Sequence, residues 1–333
     1  MTETQLSIVV PVSVTEPELS IVIPVYNEEE VLPALFERLY AALDAIGDSY
    51  EVIFVNDGSA DSSAQLLAAQ FRKRPQETRV ILFNGNFGQH MAILAGFKHA
   101  RGRISITLDA DLQNPPEEIH KLVAEVRSGH DYVGTIRRER NDSAFRRIAS
   151  RLMNALRERI TRIHMTDQGC MLRAYDRPLV DTINDCREVN TFIPALAYTF
   201  AASPTEIEVE HEARHAGESK YSLYRLIRLN LDLVTGFSIV PLQWFSLVGL
   251  LLSLFSGALF VLLAVRRFLF GAEVEGVFTL FALQFFLTGI VLFGVGLMGE
   301  YVGRIQQEVR ARPRYRIKAV LEHRAGAEAP KAP

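Results

Sequence analysis

The sequence predicts an α/β domain with a mainly parallel sheet, followed by two membrane-spanning helices. Two observations support this. Short β-branched runs alternate with helical segments in the N-terminal part, and two long runs without Asp, Glu, Lys or Arg lie near the C-terminus. Strands separated by helices form parallel sheets with right-handed crossovers. Apolar runs of about 20 residues are long enough to cross a bilayer.

The composition excludes several classes of protein. Of the 333 residues, 48% are hydrophobic and 23% are charged, which excludes a disordered chain. The net charge of −3 gives no indication of nucleic-acid binding. The 2 cysteines exclude a disulfide scaffold and cannot form a zinc site alone.

Four strand-like runs define the predicted sheet. They lie at residues 19–25, 51–55, 79–83 and 104–108, with helical spacing at 28–43 and 91–98. Polar residues follow three of these strands, at Asn27-Glu28, Asp57-Gly58 and Asp109 to Asp111. In parallel sheets ligands bind beyond the carboxyl ends of the strands. We therefore expect these polar residues to converge on one crevice.

The C-terminal apolar runs predict transmembrane helices. Charge-free sequence lies between Asp232 and Arg266 and again between Glu275 and Glu300. We place the spans near residues 242–265 and 277–298. The alternative is a pair of buried helices in a large soluble domain, but such helices seldom run this long without charge.

Charge asymmetry predicts the topology. Basic residues precede the first span and follow the second, whereas the connecting loop is balanced. The positive-inside rule then places the soluble domain and both termini in the cytoplasm. Residues 1–11 lack the basic cluster of a signal peptide.

These patterns divide the chain into five parts. The predicted parts are an N-terminal arm or edge strand (1–18), a soluble α/β domain (19–220), an interfacial amphipathic helix (221–240), two transmembrane helices (241–299) and a basic cytoplasmic tail (300–333). Residues 221–240 carry charged and apolar stripes typical of a helix in the membrane interface. An ordinary surface helix is the alternative. The Arg-rich tail suits anionic lipid headgroups.

Asp109 and Asp111 predict a metal site. They follow a buried strand, and Gln113 lies two residues further on. Carboxylate and amide oxygens suit Mg²⁺ or Mn²⁺, which share ligands with substrate phosphates. The alternative is an exposed acidic turn without a ligand.

Two other strand ends predict a nucleotide pocket. Tyr26 is placed to stack on a base and Asp57 to accept a hydrogen bond from a pyrimidine N–H, although Asp57-Gly58-Ser59 also fits a simple turn. No glycine-rich phosphate loop of the Walker or Rossmann type occurs. His90 is equally compatible with a donor contact and with a structural role.

Several motifs resemble those of a known family. They are Ile23-Pro-Val-Tyr-Asn-Glu28, Asn56-Asp-Gly-Ser59, Asn86-Phe-Gly-Gln-His90, Leu108-Asp-Ala-Asp-Leu-Gln-Asn-Pro-Pro-Glu117, Gly169-Cys-Met-Leu-Arg173 and Gly217-Glu-Ser-Lys-Tyr221. Together they resemble the family 2 glycosyltransferases. With the two predicted spans they resemble the branch that acts on polyprenyl phosphates. The resemblance covers residues 19–315.

The resemblance implies a GT-A fold and a role for each matching residue. The implied nucleotide-binding residues are Pro24, Tyr26, Glu28, Asp57 and Asp109; the metal ligands are Asp109, Asp111 and Gln113; the catalytic residues are Asp111 and Asp167; and the acceptor-phosphate residues are Arg137 and Lys220. Two positions depart from the family pattern, since Asn56 stands where Asp is common and Gly85 where Arg is common.

The resemblance also implies an activity. We expect an inverting transfer of 4-deoxy-4-formamido-L-arabinose from a UDP-sugar to undecaprenyl phosphate, with Mg²⁺ or Mn²⁺. The implied setting is the bacterial inner membrane, lipid A modification and polymyxin resistance, and the implied assembly is a homo-oligomer, a tetramer. The alternatives are a polyprenyl-phosphate glucosyl- or mannosyltransferase and, more distantly, a non-catalytic membrane scaffold.

Overall fold

A mainly parallel sheet forms the centre of the N-terminal α/β domain. The computed structural model describes residues 16–137, 165–167, 169–186, 192–212, 240–270, 277–310 and 313–323. Within them the strands are β1 (Leu19–Val25), β2 (Tyr50–Asn56), β3 (Thr78–Phe83), β4 (Ile104–Thr107), β5 (Tyr132–Arg137), β6 (Arg173–Asp176), β7 (Pro204–Val209) and β8 (Ile317–Leu321). Their order in the sheet is β7-β5-β6-β4-β1-β2-β3-β8.

Strand direction agrees with the sequence prediction. β1 pairs in parallel with β2 and with β4, β2 pairs in parallel with β3, and β5 pairs in parallel with β7. β6 and β8 run antiparallel to their neighbours. The carboxyl ends of β1, β2 and β4 therefore meet at one edge, as expected.

Helices connect the strands and cover both faces of the sheet. They are α1 (Leu32–Ile46), α2 (Ser63–Lys73), α3 (Gln89–His99), α4 (Ile119–Arg127), α5 (Arg177–Asp185), α6 (Ile193–Phe200), α7 (Val240–Phe270) and α8 (Val277–Val309), with a 3₁₀ turn at Pro116–Glu118. Local sequence explains several ends. Gly47 ends α1 with a φ of 79°, and the Asp176 side chain accepts from Leu179 N to cap α5.

The core has two apolar layers, one on each face of the sheet. One layer contains Leu35 and Leu39 of α1 with Ile21 of β1, and the other contains Phe97 of α3 with Val22 of β1. Consecutive β1 residues thus enter opposite layers, which explains why this strand is a continuous apolar run. The buried sheet leaves polar side chains to gather at the strand ends.

The C-terminal segment joins the sheet, which revises the predicted boundary of the domain. We expected residues 300–333 to form a separate basic tail, yet β8 pairs antiparallel with β3, and Leu321 lies opposite Val80. Ile317 and Val320 pack against the core layer of α3. The apolar residues of β8 therefore form the edge of the sheet. The basic residues around β8 had led us to predict a tail instead of a strand.

The two long C-terminal helices agree only in part with the predicted spans. α7 has 31 residues and α8 has 33. Within the described residues, one segment is long and apolar enough to cross a membrane, Phe286–Gly303 of α8, whereas α7 contributes a shorter apolar stretch at Leu242–Leu252. The prediction of two transmembrane spans is therefore not confirmed. Phe245 of α7 packs against Gly294 of α8, where a Cβ atom would collide with the ring.

Some predictions fall on residues that the structure does not describe. These are residues 1–15 of the arm, residues 221–239 of the interfacial helix, and Lys220. They remain predictions from the sequence.

Candidate active site

The acidic pair lies at the carboxyl edge of the sheet. β4 ends at Thr107, and Leu108 N still donates to Val22 O of β1 before the chain turns. Asp109 and Asp111 follow, both half-buried. The Asp111 Oδ1 atom accepts from Gln113 N at 3.1 Å. The predicted metal ligands thus share one short turn, which the Leu112 φ of 58° tightens.

Asp109 lies in a negative environment. Burial, together with the nearby carboxylates of Asp111 and Glu28, raises the pKa of Asp109 to about 7, against the opposing effects of Gln89 and Arg137. Gln89 Nε2, at the start of α3, donates to Asp109 Oδ1 at 2.5 Å. The structure therefore brings Glu28 together with the acidic pair, as the sequence predicted.

The loops after β1 and β2 are bonded to each other. Asn27 N donates to Ser59 Oγ at 3.0 Å, and Ala60 N donates to Asn27 Oδ1 at 2.9 Å. Glu28 N donates to Ser63 Oγ at 3.1 Å. Between them Tyr26 remains 49% exposed, next to the half-buried Pro24. An exposed aromatic ring beside a fixed loop is suited to stacking on a base.

Asp57 has a structural function that the sequence did not reveal. Its two carboxylate oxygens accept from Phe87 N at 2.7 Å and from Gly88 N at 2.8 Å. The pKa of Asp57 is raised overall, because the effect of burial outweighs the opposing effect of these two backbone hydrogen bonds. Asp57 therefore fastens residues 84–88 to the end of β2. Its predicted contact with a pyrimidine stays a prediction.

Gly58 allows the same two loops to approach. Its φ is +70°, and a Cβ atom there would lie 2.7 Å from Gly85 O and 2.8 Å from Asn86 N. Only glycine, which has no Cβ atom, fits both the positive φ and the close approach of the two loops. Across the contact, a Cβ atom on Gly85 would meet nothing within 4 Å.

Arg137 and Asp167 form a charged pair near Asp109. Arg137 ends β5, and its Nε and Nη2 atoms donate to the two oxygens of Asp167 at 2.6 and 2.9 Å. Asp167 also accepts from Gly169 N at 3.0 Å. The predicted acceptor cation and the predicted catalytic carboxylate therefore form one pair.

A buried arginine, to which the sequence analysis assigned no function, supports this pair. The Arg173 guanidinium donates to Asp167 O at 2.6 Å, to Cys170 O at 2.8 Å and to the Tyr132 hydroxyl. It is fully buried. Arg173 thereby holds the carbonyl oxygens of Asp167 and Cys170 in place. Arg173 ends the motif Gly169-Cys-Met-Leu-Arg173, but the motif did not indicate this function.

His211 is a second residue that the sequence did not single out. Burial and the charge of Arg137 lower its pKa, while Asp111 and Asp167 oppose that shift. Its Nδ1 atom is buried and has no hydrogen-bond partner among the described residues. The parallel register of β5 and β7 sets Val209 opposite Arg137, which leads the chain to this edge. That pairing could not be read from the sequence.

A salt-bridge cluster holds the chain beside His211. Glu212 N donates to Gln113 O at 2.9 Å. The Arg38 guanidinium of α1 donates to both oxygens of Glu212 at 2.8 and 2.9 Å, and also to Glu117 at 2.9 Å. Arg38 thus ties the segment after β7 to the 3₁₀ turn at Pro116–Glu118, which follows the acidic pair.

His90 is half-buried at the start of α3. Its ring meets the Phe192 ring edge-on at 5.2 Å, and its Nδ1 atom lacks a partner within the described residues. Burial and the charge of Arg173 lower its pKa to about 4. The imidazole is therefore neutral at pH 7.

The site as a whole contains most of the predicted residues. The acidic pair, Glu28, Arg137 and Asp167 are brought together, with Asp57 and Tyr26 along the same edge. Within the described residues, no three His, Cys, Asp or Glu side chains form a complete metal cage. Such a site can bind a cation only if a substrate or water completes the coordination.

The chain is similar to known proteins over most of its length. The pattern of glycosyl transferase family 2 matches residues 20–183. An undecaprenyl-phosphate 4-deoxy-4-formamido-L-arabinose transferase of Yersinia enterocolitica is 52% identical over 319 residues, covering 95% of this chain and 94% of the relative. The Salmonella paratyphi A protein of the same name is 50% identical over the same length. The chain belongs to glycosyl transferase family 2.

Because it belongs to this family, the protein is an enzyme, a glycosyltransferase. Its mainly parallel sheet fits a GT-A-like α/β fold. Among solved structures, glucosyl-3-phosphoglycerate synthase of Mycobacterium tuberculosis is similar to it, with a TM-score of 0.49 and 14% identity over 66% of this chain and 76% of that chain. The matched pattern ends before the long helices and β8, whereas the full-length relatives extend through them. Membership of an enzyme family and identity to transferases over 95% of the chain exclude the alternative of a non-catalytic scaffold.

Proposed function

We propose that this enzyme transfers 4-deoxy-4-formamido-L-arabinose from a UDP-sugar to undecaprenyl phosphate with inversion. The observation that carries the proposal is 52% identity over 95% of the chain to a transferase of that name. Identity of this extent includes the C-terminal helices as well as the catalytic sheet. The polar crevice at the sheet edge supports glycosyl transfer as its chemistry.

The donor nucleotide binds at the ends of β1 and β2. Pro24, Tyr26 and Glu28 follow or end β1, and the exposed Tyr26 ring stacks on the uracil. Asp57 fixes the adjoining loop through its bonds to Phe87 and Gly88. This pre-set loop limits the ordering that UDP must impose when it binds.

Asp109, Asp111 and Gln113 fit a divalent cation. Their oxygens are hard donors on one turn, and the carboxylates of Asp109 and Asp111 already repel each other. The incomplete cage suits Mg²⁺ or Mn²⁺ shared with a diphosphate. When bound, the cation supplies Lewis-acid stabilisation of the departing UDP. Asp109 also serves the nucleotide side of the site, as the resemblance implies.

Arg137 and Asp167 act on the acceptor side. A phosphate monoester has a second pKa of about 6 and is largely ionised at pH 7, so it needs no strong base. Bringing two anions together is the harder step, and the Arg137 guanidinium offsets the acceptor charge. Asp167 keeps Arg137 in place and stabilises positive charge at the sugar. Lys220 adds a second cation for the acceptor phosphate.

The bilayer determines where the acceptor enters. Undecaprenyl chains stay in the membrane, so the enzyme must hold its crevice at headgroup depth. Helices α7 and α8 anchor the chain as two spans of the bacterial inner membrane, with the catalytic domain and both termini in the cytoplasm. A homotetramer and a function in lipid A modification and polymyxin resistance belong to the same proposal.

Product analysis tests the proposal. The full chain is reconstituted with undecaprenyl phosphate, Mg²⁺ or Mn²⁺ and a panel of UDP- and GDP-sugars, and the lipid product is identified by mass. We expect product only from the UDP-linked formamido-arabinose. Preferred transfer of glucose or mannose would support the alternative activity and contradict the sugar assignment.

A further inference from the structure

The chain returns from α8 to the donor side of the sheet. Arg316 O accepts from Asn84 N at 3.1 Å, and Ile317 lies opposite Phe83 in the β3–β8 pair. Arg314 donates to Cys186 O at the end of α5. Residues 314–317 are thus attached both to the sheet edge and to a neighbouring helix.

Three aromatic rings connect this segment to the donor loop. Tyr315 stacks on Phe83 with 4.9 Å between ring centroids and 14° between planes. Phe83 meets Phe87 edge-on at 5.7 Å. Both geometries are favourable for aromatic pairs. The rings form a continuous row from the C-terminal segment to the loop of residues 84–88.

The far end of the row is part of the proposed donor site. The amides of Phe87 and Gly88 are the two that Asp57 binds. The next residue, Gln89, donates to Asp109. Phe87 is 38% exposed, whereas Phe83 is buried. A movement of the Phe87 ring would therefore displace the amides that Asp57 binds and would shift the start of α3.

We propose that Tyr315 is a positioning residue for the donor nucleotide, acting through Phe83 and Phe87 on the loop of residues 84–88. This rests on the proposed function in one respect only, that the donor is a UDP-sugar. Tyr315 need not touch UDP. It follows that the donor site depends on a segment beyond both long helices, outside residues 20–183 that define the family match.

Binding of UDP to the full chain tests this inference. Titration calorimetry in detergent with Mg²⁺ is applied to wild type, Tyr315→Ala, Tyr315→Phe and the control Lys318→Ala, whose side chain is exposed on β8, three residues after Tyr315. We expect Tyr315→Ala to weaken UDP binding about fivefold, the factor expected for loss of one aromatic pair. Tyr315→Phe and Lys318→Ala should bind as wild type does.

Hydrogen exchange separates positioning from general destabilisation. In Tyr315→Ala we expect the peptide containing Phe87 and Gly88 to exchange at least several-fold faster, while the peptide from β1 stays unchanged. If Tyr315→Ala is too unstable to purify, Tyr315→Leu keeps an apolar side chain and removes the stack. The same two measurements then apply.

The outcomes distinguish the two proposals. Wild-type affinity in Tyr315→Ala, or equal weakening in Tyr315→Phe, would overturn the positioning function and leave the proposed activity intact. Faster exchange throughout the domain would also overturn it. Failure of wild type to bind UDP would overturn both. Weaker UDP binding in Tyr315→Ala, with faster exchange confined to the peptide that contains Phe87 and Gly88, is the result that supports the positioning function of Tyr315.

Discussion

Arg137 and Asp167 form a bidentate ion pair, with donor–acceptor distances of 2.6 and 2.9 Å, beside the acidic turn of the active site. The side chains are 19% and 5% exposed. Asp167 raises the pKa of Arg137, because a paired guanidinium is more stable in its charged form. The carboxylate therefore positions a cation in the resting enzyme, which agrees with a reaction that needs no strong base.

The variant Gly169→Ala tests this pair without changing any charge. A Cβ atom at residue 169 would lie 2.8 Å from Arg137 Nη2, so the guanidinium must move. Because small misplacements in active sites cost up to about 10²-fold in rate, we expect kcat/KM to fall by about tenfold or more. Steady-state kinetics with varied lipid acceptor provide the measurement.

A double-mutant cycle supplies the control for that prediction. If Gly169→Ala acts through the guanidinium, then adding it to Arg137→Ala should cause little further loss. Additive losses in the double mutant would mean that residue 169 affects turnover by another route.

The variant Asp111→Ala tests the metal site. We expect transfer to be lost, because the diphosphate would leave without a charge partner, while the protein stays folded and bound to the membrane. Activity assays across Mg²⁺ and Mn²⁺ concentrations and thermal unfolding are the measurements. The control is Asp185→Ala, an exposed acid at the end of α5. Undiminished turnover in Asp111→Ala would refute the assignment.

Local sequence predicted the acidic edge well. Residues 19–25 and 104–108 are short apolar runs followed by polar residues, and strand ends of this kind need no tertiary information. The structure therefore has Asp109, Asp111 and Glu28 near one another, as the parallel topology required. The predicted bounds of the helices differ from the observed ones by a few residues. Helix ends fray, so their terminal residues are the least predictable part.

Pairings across the fold were not predictable from one sequence. Asp167 follows a segment that gives no strand signal, and it meets Arg137 only because β6 pairs with β5. His211 reaches the site because β7 lies beside β5. β8 is a short apolar run among basic residues, and burial on β3 outweighs that local composition. Tertiary pairing of distant segments decided all three.

Gly58 and Gly85 permit a test with a matched control across one contact. In Gly58→Ala the new Cβ atom would strain a left-handed residue and press on the backbone of residues 85 and 86. We expect a loss of stability of about 2 kcal/mol or more and weaker UDP binding, because the loop held by Asp57 must shift. Thermal unfolding and calorimetry with UDP measure the two effects.

Gly85→Ala is the control, since its Cβ atom would meet nothing within 4 Å and its φ is ordinary. We expect wild-type stability, and the same for Gly85→Arg, which restores the residue common in the family. Equal losses in Gly58→Ala and Gly85→Ala would show that the loop tolerates no side chain at either position, contrary to the geometry.

His90 should make stability depend on pH. Burial and Arg173 lower its folded-state pKa to about 4 from the ordinary value of 6.5, so the unfolded chain takes up the proton first as the pH falls. The contribution of neutral His90 to the free energy of unfolding is therefore complete above about pH 6.5 and is lost progressively toward pH 4, by about 2–3 kcal/mol.

The variant His90→Gln cannot titrate, so its unfolding temperature should fall less over this range. The exposed His120→Gln serves as the control and should keep the wild-type profile. Parallel profiles for wild type and His90→Gln would show that the imidazole is protonated without cost, and hence that its surroundings are wetter than the packing against Phe192 implies.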